Sequence, residues 1–210
     1  MNVKPALLIG AAAVTLLSST AALAQSVAPG ESPWMVRVRA TRLMTDTSST
    51  AGALPADAID VNDKWIPEVD ISYFFTKNIA AELVLTVPQK HDVTVAGDKI
   101  GTFKHLPPTL LAQWHFTDLG KFKPYLGAGI NYTRLSSERM SVGGQPVTLE
   151  SSSVGPAVQV GLDYRLDRNW YLNFDVKKVW IESDVRLAGS KISTLSVDPW
   201  LVSFGVGYRF

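Results

Sequence analysis

The chain ends in an alternating stretch that decides the fold class, Trp200-Leu201-Val202-Ser203-Phe204-Gly205-Val206-Gly207-Tyr208-Arg209-Phe210. Every even-numbered residue in it is large and apolar or aromatic, whereas Ser203, Gly205, Gly207 and Arg209 are small or polar. Side chains of a β-strand point alternately to its two faces, so this period of two predicts a strand with one apolar face.

The same period recurs in seven earlier segments. They lie at about 34–39, 68–75, 79–86, 109–116, 126–133, 158–166 and 170–177. Because an even number of strands lets a chain begin and end on the same side, the pattern predicts an all-β fold, an eight-stranded antiparallel up-and-down barrel.

The connections between these strands alternate in length. Three are short, at 76–78, 117–121 and 167–169, and four are long and polar, at about 45–64, 90–103, 137–150 and 184–193. Bacterial outer-membrane barrels have short periplasmic turns and longer extracellular loops. The pattern therefore predicts periplasmic termini and four surface loops on the outside.

The N-terminus has the composition of an export signal. Lys4 precedes an apolar run from residue 6 to residue 17, and Ala22-Leu23-Ala24 matches an A-x-A cleavage site. A membrane anchor is the alternative, although the run is shorter than the roughly 20 residues that a spanning helix requires. We predict a signal peptide at 1–24 and a barrel domain at 25–210.

Composition excludes some partners and scaffolds. With 20 Lys and Arg against 19 Asp and Glu, the net charge of +1 gives no basis for nucleic-acid binding. The chain has no cysteine, so packing and backbone hydrogen bonds, rather than disulfides, must stabilise it after export.

Alternation alone does not distinguish a membrane barrel from a soluble, lipocalin-like barrel with solvated charges, but two features favour the membrane. The apolar face has aromatic residues near the strand ends, as in an interfacial girdle: Trp34, Trp65, Tyr73, Phe75, Trp114, Phe116, Trp170, Tyr208 and Phe210. The other face has five basic and five acidic residues, a balanced set suited to pairing inside a closed lumen: Arg37, Arg39, Arg165, Lys177, Arg209, Glu68, Asp70, Glu82, Asp163 and Asp175.

The C-terminus points to the same location. A last strand ending in Tyr208-Arg209-Phe210 resembles the signal that the barrel-assembly machinery recognises in outer-membrane barrels. We therefore predict a transmembrane β-barrel in the outer membrane of a Gram-negative cell, in contact with lipid and lipopolysaccharide.

Three ordered motifs resemble the OmpW family of small outer-membrane proteins and its AlkL-like relatives. They are HLPPTLLAQW at 105–114, KFKPYLGAGINYT at 121–133, and DPW at 198–200 with GYRF at 207–210. The resemblance covers essentially the whole mature chain. It implies a barrel with a narrow, partly apolar interior that gives passive passage to small hydrophobic molecules, alkane-like in the AlkL-like relatives, or that serves stress adaptation.

The resemblance and the alternation together give candidate lumen residues. Val84 on the third strand matches a position of the family's apolar constriction, but the matching position on the seventh strand is Lys177, which implies a constriction that is not wholly apolar. The predicted lining is Val84, Leu111, Phe74, Glu82, Lys177 and His115. An eight-stranded barrel holds side chains or one small ligand, so a general diffusion pore is excluded.

Four prolines at the outer ends of strands two to four mark a candidate lateral opening: Pro67, Pro88, Pro107 and Pro108. Proline lacks the N–H of a ladder hydrogen bond, so a gap in the wall is expected there. Prolines also commonly begin strands, and that interpretation predicts a continuous wall. The ladder between strands three and four near Pro88 and Pro107 distinguishes the two.

Other functions have weaker support. Some eight-stranded outer-membrane barrels are lipid-modifying enzymes, but no nucleophile motif surrounds His91, His105 or the nearby serines, so we predict no catalytic residues and no cofactor. The histidines lack the spacing of a metal site, and His115 is expected to form hydrogen bonds in the lumen. The alternative function is a non-transporting barrel whose loops bind phage, bacteriocin or host surfaces.

Overall fold

The computed structural model describes residues 31–49, 59–95, 98–142, 145–187 and 190–210. The predicted signal peptide at 1–24 lies outside them. Within the described residues, no helix is long and apolar enough to cross a membrane. Strands and short connections make up this part of the chain, which confirms the all-β prediction.

Fifteen strand segments form eight long strands. In chain order they are β1 (Trp34–Met44), β2 (Thr47–Ser49), β3 (Ile59–Val61), β4 (Lys64–Phe74), β5 (Ile79–Thr86), β6 (Gln89–Val95), β7 (Asp98–Leu106), β8 (Thr109–His115), β9 (Phe122–Val142), β10 (Gln145–Leu149), β11 (Ser152–Arg165), β12 (Trp170–Val179), β13 (Glu182–Leu187), β14 (Ser190–Val197) and β15 (Trp200–Arg209). The fifth long strand is β9 alone. Each of the others consists of two consecutive segments, so the second is β3 with β4 and the third is β5 with β6.

Antiparallel pairing closes the sheet into a barrel. Around the ring the order is β1, β4, β5, β8, β9, β11, β12 and β15. The last strand then pairs with the first, from Met35↔Arg209 to Met44↔Trp200. Closure leaves no free sheet edge in the ring, and the ring of eight confirms the predicted up-and-down barrel.

One end of the barrel, the turn end, holds the first residue of β1, the last of β15 and the three short connections. In the turn between β11 and β12, Asp167 Oδ1 accepts hydrogen bonds from the backbone N–H groups of Trp170 and Asn169, each at 2.8 Å, and these bonds lower the pKa of the Asp167 carboxyl. In the turn before β9, Gly120 has a φ of 66°, a left-handed conformation that favours glycine.

At the opposite end, the long end, the strands continue through segments that the sequence predicted as loops. Most of 90–103, 137–150 and 184–193 is strand, since β6 pairs with β7, β9 with β10, and β13 with β14. The loop prediction was wrong there because the extensions lack the outward-facing run of large apolar side chains, although Val93, Val185 and Leu195 are buried on their inner face. Charged or polar side chains replace the apolar outer face there, and backbone pairing does not require an apolar face. The predicted loop at 45–64 is described only in part, since 50–58 lie outside the described residues.

The faces of the strands are inverted relative to a soluble barrel. Outward-facing apolar side chains such as Val38, Leu110, Ile130, Val154 and Phe204 are 51–70% exposed. The charged residues between them along the strands are buried inside. So wide an apolar exterior is unfavourable in water and suits contact with acyl chains, as predicted.

Candidate functional site

A network of buried ionic side chains crosses the barrel interior between its two ends. We call it the plug, and it consists of Arg37, Arg39, Lys177, Glu68, Asp70, Glu82, Asp163 and Asp175. Each of these residues is at most 2% exposed. Ionic groups so deeply buried are tolerated only when they are paired and hydrogen-bonded, so the plug acts as a unit.

Arg39 contacts four carboxylates. Its guanidinium nitrogens lie 2.8 Å from Asp70 Oδ2, 3.1 Å from Asp175 Oδ1, 3.2 Å from Glu82 Oε2 and 3.4 Å from Glu68 Oε1. These acids come from β4, β5 and β12, on both sides of β1 around the ring. Arg39 therefore connects β12 with β4 and β5, neither of which pairs with β12.

Arg37 joins the plug on the turn-end side of Arg39. It binds Asp163 through two bonds, Nε to Oδ1 at 3.1 Å and Nη2 to Oδ2 at 2.6 Å, and its Nη1 donates to Glu82 Oε2 at 2.8 Å. The side chain of Asn173 donates a further hydrogen bond to Asp163 Oδ1 at 2.8 Å. This bidentate geometry is a strong form of carboxylate recognition.

Lys177 is the third cation of the plug. Its ammonium donates to Glu68 Oε1 at 2.9 Å and to Asp175 Oδ1 at 2.6 Å. Tyr125 donates to the other oxygen of Asp175 at 2.9 Å. The Tyr125 ring occupies the space above Gly161, where an added Cβ would lie 2.2 Å from the ring.

The plug contains five carboxyl groups and three basic side chains, so its acids outnumber its bases by two. The described residues donate no hydrogen bond to Asp70 Oδ1. The two remaining basic residues of the predicted set, Arg165 and Arg209, lie at the turn end, 3.9 Å and 3.2 Å from Glu31. The ten residues predicted for the inner face therefore do not form one cluster, because strand parity gives the face of a residue but not its position along the barrel axis.

An apolar pocket, the long-end pocket, lies on the long-end side of the plug. Its walls are Leu43, Ile66, Val84, Thr86, Pro107, Val179, Ile181, Pro199 and Leu201, and Glu68, Lys177, Thr109 and Asn131 complete its lining. It encloses about 20 Å³, little more than the roughly 10–15 Å³ that one water needs. In this conformation the pocket is nearly filled by its own side chains.

The wall beside this pocket is interrupted between the second and third strands. Pairing of β4 with β5 ends at Glu68↔Thr86, and pairing resumes only at Val61↔Val93 between β3 and β6. Six residues of each strand lie between these two ladder pairs, and the backbone N–H of Asp92 donates across the seam to the side-chain oxygen of Asn62 at 2.9 Å. At the margin of this seam nearer the turn end, Thr86 Oγ1 donates to the carbonyl oxygen of Pro67 at 2.9 Å.

A second interruption lies between the third and fourth strands. Pairing of β5 with β8 ends at Val84↔Thr109, and pairing of β6 with β7 begins at Gln89↔His105. Four residues of the third strand and three of the fourth are left between these pairs. Both seams are thus next to residues that line the long-end pocket.

The four prolines border these seams. Pro67 and Pro88 are exposed on the second and third strands, and Pro107 and Pro108 are half-buried between β7 and β8. The interrupted ladder expected beside Pro88 and Pro107 is present. That the wall opens there stays a prediction.

A larger cavity, the turn-end vestibule, lies on the other side of the plug and encloses about 210 Å³. Phe74 and His115 line it, with ring centroids 4.8 Å apart. His115 Nε2 lies 3.0 Å from Gln113 Oε1, in agreement with a hydrogen-bonding role in the lumen.

All six predicted lining residues are buried inside the barrel, but at three depths. Val84 and Leu111 belong to the apolar cluster at the long end. Glu82 and Lys177 belong to the plug, and Phe74 and His115 belong to the vestibule. They do not form one continuous conduit.

Sequence reasoning missed six apolar walls of the long-end pocket: Leu43, Ile66, Val179, Ile181, Pro199 and Leu201. A signal was available for those within strands, because Leu43, Ile66, Val179 and Leu201 have the inward parity of their strands. An apolar residue at an inward position marks the depth at which the lumen changes from ionic to apolar.

Among the described residues, no group of three or more His, Asp or Glu side chains could hold a metal ion. The side chains of His91 and His105, considered for catalysis, are outside the described part of the chain.

Comparison with known proteins identifies close relatives. The model of the OmpW family matches residues 31–210. An uncharacterized outer-membrane protein y4mB of Sinorhizobium fredii is 45% identical over 208 residues, covering 96% of this chain and 90% of that protein. Outer membrane protein W of Escherichia coli is 35% identical over 213 residues, covering 97% of this chain and 99% of that protein.

Two further likenesses extend the comparison. The crystal structure of the outer membrane protein OprG from Pseudomonas aeruginosa has a TM-score of 0.75 and 27% identity, covering 86% of this chain and 97% of that one. The dibenzothiophene metabolism operon protein PahQ of Pseudomonas aeruginosa is 26% identical over 195 residues, covering 86% of this chain and 90% of that protein.

Proposed function

Because this chain belongs to the OmpW family of outer-membrane β-barrels, we propose that it gives small hydrophobic molecules a passive route from the cell exterior into the outer-membrane bilayer. The turn end faces the periplasm in such barrels, so the long-end pocket opens toward the exterior. The name of the relative PahQ, from a dibenzothiophene metabolism operon, supports a hydrophobic cargo.

A route along the barrel axis is disfavoured by the plug. An apolar solute crossing it would have to separate Arg39 and Lys177 from their carboxylates. Breaking a buried pair costs about 3–5 kcal/mol, and burial of an apolar solute among unpaired charges returns none of this. The solute therefore has to leave the lumen before it reaches the plug.

One observation carries the proposal: residues that line the long-end pocket also border both interrupted seams. Ile66 and Thr86 lie at the second–third seam, and Val84 and Pro107 lie at the third–fourth seam. A solute seated on these apolar walls is separated from the acyl chains by backbone that lacks ladder hydrogen bonds. Segments with few hydrogen bonds open at low free-energy cost.

The pocket's small volume fits a gated route. At about 20 Å³ it admits no cargo without movement of its walls. The seams beside the pocket are the part of the wall that can yield. A further gap in ladder pairing, between Ala157↔Val179 and Leu149↔Val185, is bridged by backbone hydrogen bonds from Trp180 to Pro156 at 3.1 Å and from Glu150 to Asp184 at 3.0 Å. For an apolar solute the main barrier outside is the polar lipopolysaccharide layer, so release below the headgroups completes the transfer.

A disulfide across the second–third seam tests this route. The chain has no cysteine, so introduced pairs react without competition. Pro67→Cys with Val87→Cys bridges the first position beyond the last ladder pair of β4 and β5. In cells without another such barrel, oxidation of this variant should lower the initial uptake rate of a hydrophobic fluorescent dye to the rate without the protein, and reduction should restore it.

The matched control is Val69→Cys with Leu85→Cys. These residues pair directly, on the same strands and the same exposed face. A bridge there joins strands already held together, so uptake should not respond to oxidation. An oxidised seam bridge that leaves uptake at the wild-type rate would contradict release through this seam.

The remaining features of the chain enter the same proposal. Residues 1–24 are removed on export, which the intact mass of the outer-membrane protein tests, and residues 25–210 form the mature barrel. The assembly machinery recognises Tyr208-Arg209-Phe210. The barrel has no catalytic role in this account, and its lipid contacts include lipopolysaccharide at the long end.

A further inference from the structure

The turn-end vestibule combines an apolar floor with a charged rim. Met35, Phe74 and Tyr171 belong to its floor and are 2–5% exposed. Its volume of about 210 Å³ corresponds to roughly seven waters at about 30 Å³ each. The cavity is thus large enough for a small organic molecule, and it lies on the opposite side of the plug from the proposed hydrophobic route.

Cations outnumber carboxylates around the rim. Four basic residues line it, Lys77, Lys123, Arg165 and Arg209, together with the two acids Glu31 and Asp118. Glu31 forms ion pairs with Arg209 at 3.2 Å and with Arg165 at 3.9 Å. Asp118 pairs with Lys77 at 3.3 Å, and the Asp118 side chain is 82% exposed.

Lys123 has no carboxylate within ion-pair distance in the described part of the chain. Its ammonium donates to the backbone carbonyl oxygen of Thr117 at 2.5 Å. A cation satisfied only by a neutral acceptor can still attract an anion, since its charge is not neutralised.

Arg209 is fixed in place at the edge of the floor. Its side chain is only 11% exposed, its Nε donates to the carbonyl oxygen of Ser32 at 2.9 Å, and its guanidinium lies 4.3 Å from the centre of the Phe74 ring. Its Nη2 is buried and has no hydrogen-bond partner among the described residues. A buried, unpaired guanidinium N–H is costly, and an anion seated beside it would remove that cost.

The one carboxylate in the cavity wall nearest the plug does not repel such an anion. Asp163 is held by Arg37 through two bonds at 2.6 Å and 3.1 Å and by Asn173 at 2.8 Å. Its charge is therefore neutralised from the plug side.

We propose that the turn-end vestibule binds a small organic anion with an apolar body. The carboxylate of the ligand meets Arg209 and Lys123, and its apolar part lies on Met35, Phe74 and Tyr171. Because this end faces the periplasm, the ligand comes from the periplasmic side. The site is separate from the hydrophobic route, so it stands or fails independently of that function.

Titration of the purified barrel with para-fluorobenzoate, followed by fluorine NMR in a non-ionic detergent, tests the site. We expect saturable binding of this carboxylate and none of para-fluorobenzyl alcohol, its neutral analogue. Inorganic phosphate should compete only weakly, since it cannot use the apolar floor. Equal saturable binding of the alcohol, or equal competition by phosphate, would overturn the proposal of an amphiphilic anion site.

Two variants locate the ligand. Arg209→Gln and Lys123→Gln should each weaken para-fluorobenzoate binding about tenfold or more, the usual effect of losing a charge-assisted hydrogen bond. Arg209 lies in the last strand, within the proposed assembly signal, so Arg209→Gln could fail to assemble. In that case Lys123→Gln alone tests the site. Heat-modifiable migration on gels verifies that each variant is folded.

The matched control is Arg168→Gln. Arg168 is exposed in a turn at the same end and does not line the cavity. The substitution therefore removes the same charge without changing the site. Its binding should equal that of the wild type. Absence of saturable binding, or an equal loss in Arg168→Gln, would show that the vestibule has no specific anion site.

Discussion

Replacing Arg39 with methionine should destabilise the barrel far more than the same change at a surface arginine of the same strand. Arg39 contacts four carboxylates at 2.8–3.4 Å, so Arg39→Met leaves five buried acids with two cations. Removal of one partner from a buried ionic group costs about 3–5 kcal/mol, while methionine preserves most of the packing. Arg42, paired with Asp63 at 3.3 Å, has a side chain that is 39% exposed, so Arg42→Met should cost at most about 1 kcal/mol.

Urea unfolding in lipid vesicles, followed by tryptophan fluorescence, measures both changes. A second variant tests whether charge, rather than packing, causes the loss. Asp70 is the acid nearest to Arg39, and Asp70→Asn in the Arg39→Met background should restore about 1–3 kcal/mol, the range of coupling between contacting residues.

The result that would refute this reasoning is an Arg39→Met loss no larger than that of Arg42→Met. The plug groups would then be solvated in the folded barrel. An axial path past them would become possible, and solutes would not have to leave the lumen through the wall.

Two further changes test the pocket and the long end. Val84→Trp should fill the long-end pocket and reduce hydrophobic dye uptake several-fold. Leu85→Trp, at the adjacent outward-facing residue, should leave uptake unchanged. Equal uptake rates for the two variants would show that the pocket is not part of the route. At the long end, a hydrogen bond from Lys191 lowers the pKa of Asp184, so its stabilising contribution is present above the unfolded pKa and is lost as the pH falls through the folded pKa. The protection factors of the β13–β14 amides, which are exchange rates corrected for the intrinsic pH dependence of exchange, should therefore be constant from neutral pH to about pH 5 and fall only below about pH 4, and Asp184→Asn should abolish that step.

The barrel itself could be predicted because its determinants are local. Strand parity assigns each side chain to a face, so residues such as Phe204 and Arg37 were placed correctly without knowledge of any partner. The short turns were equally readable, since Asp167 followed by Asn169 provides its own hydrogen bonds. These features depend on residues a few positions apart.

What could not be predicted depends on positions along the barrel axis. Parity placed Arg209 and Arg39 on the same inner face, yet one lies at the turn end and the other in the plug. The length of the strands was missed for a related reason. Beyond the hydrocarbon layer the outer face need not be apolar, so β6, β7, β13 and β14 lack the large apolar alternation that reveals a membrane strand, although Val93, Val185 and Leu195 are buried inside.

The positions of the charged groups along the barrel axis also bear on which solutes could use a closed interior. The plug has an excess of acids, and the vestibule beside it has an excess of bases: Lys123 and Arg209 have spare capacity, while Asp70 Oδ1 lacks a donor. An ion of either sign that enters the barrel meets buried ion pairs that it would have to separate. An apolar solute cannot cross buried charge either. In the proposed route it leaves through the wall of the long-end pocket, where ladder pairing of the third strand with each of its neighbours is interrupted.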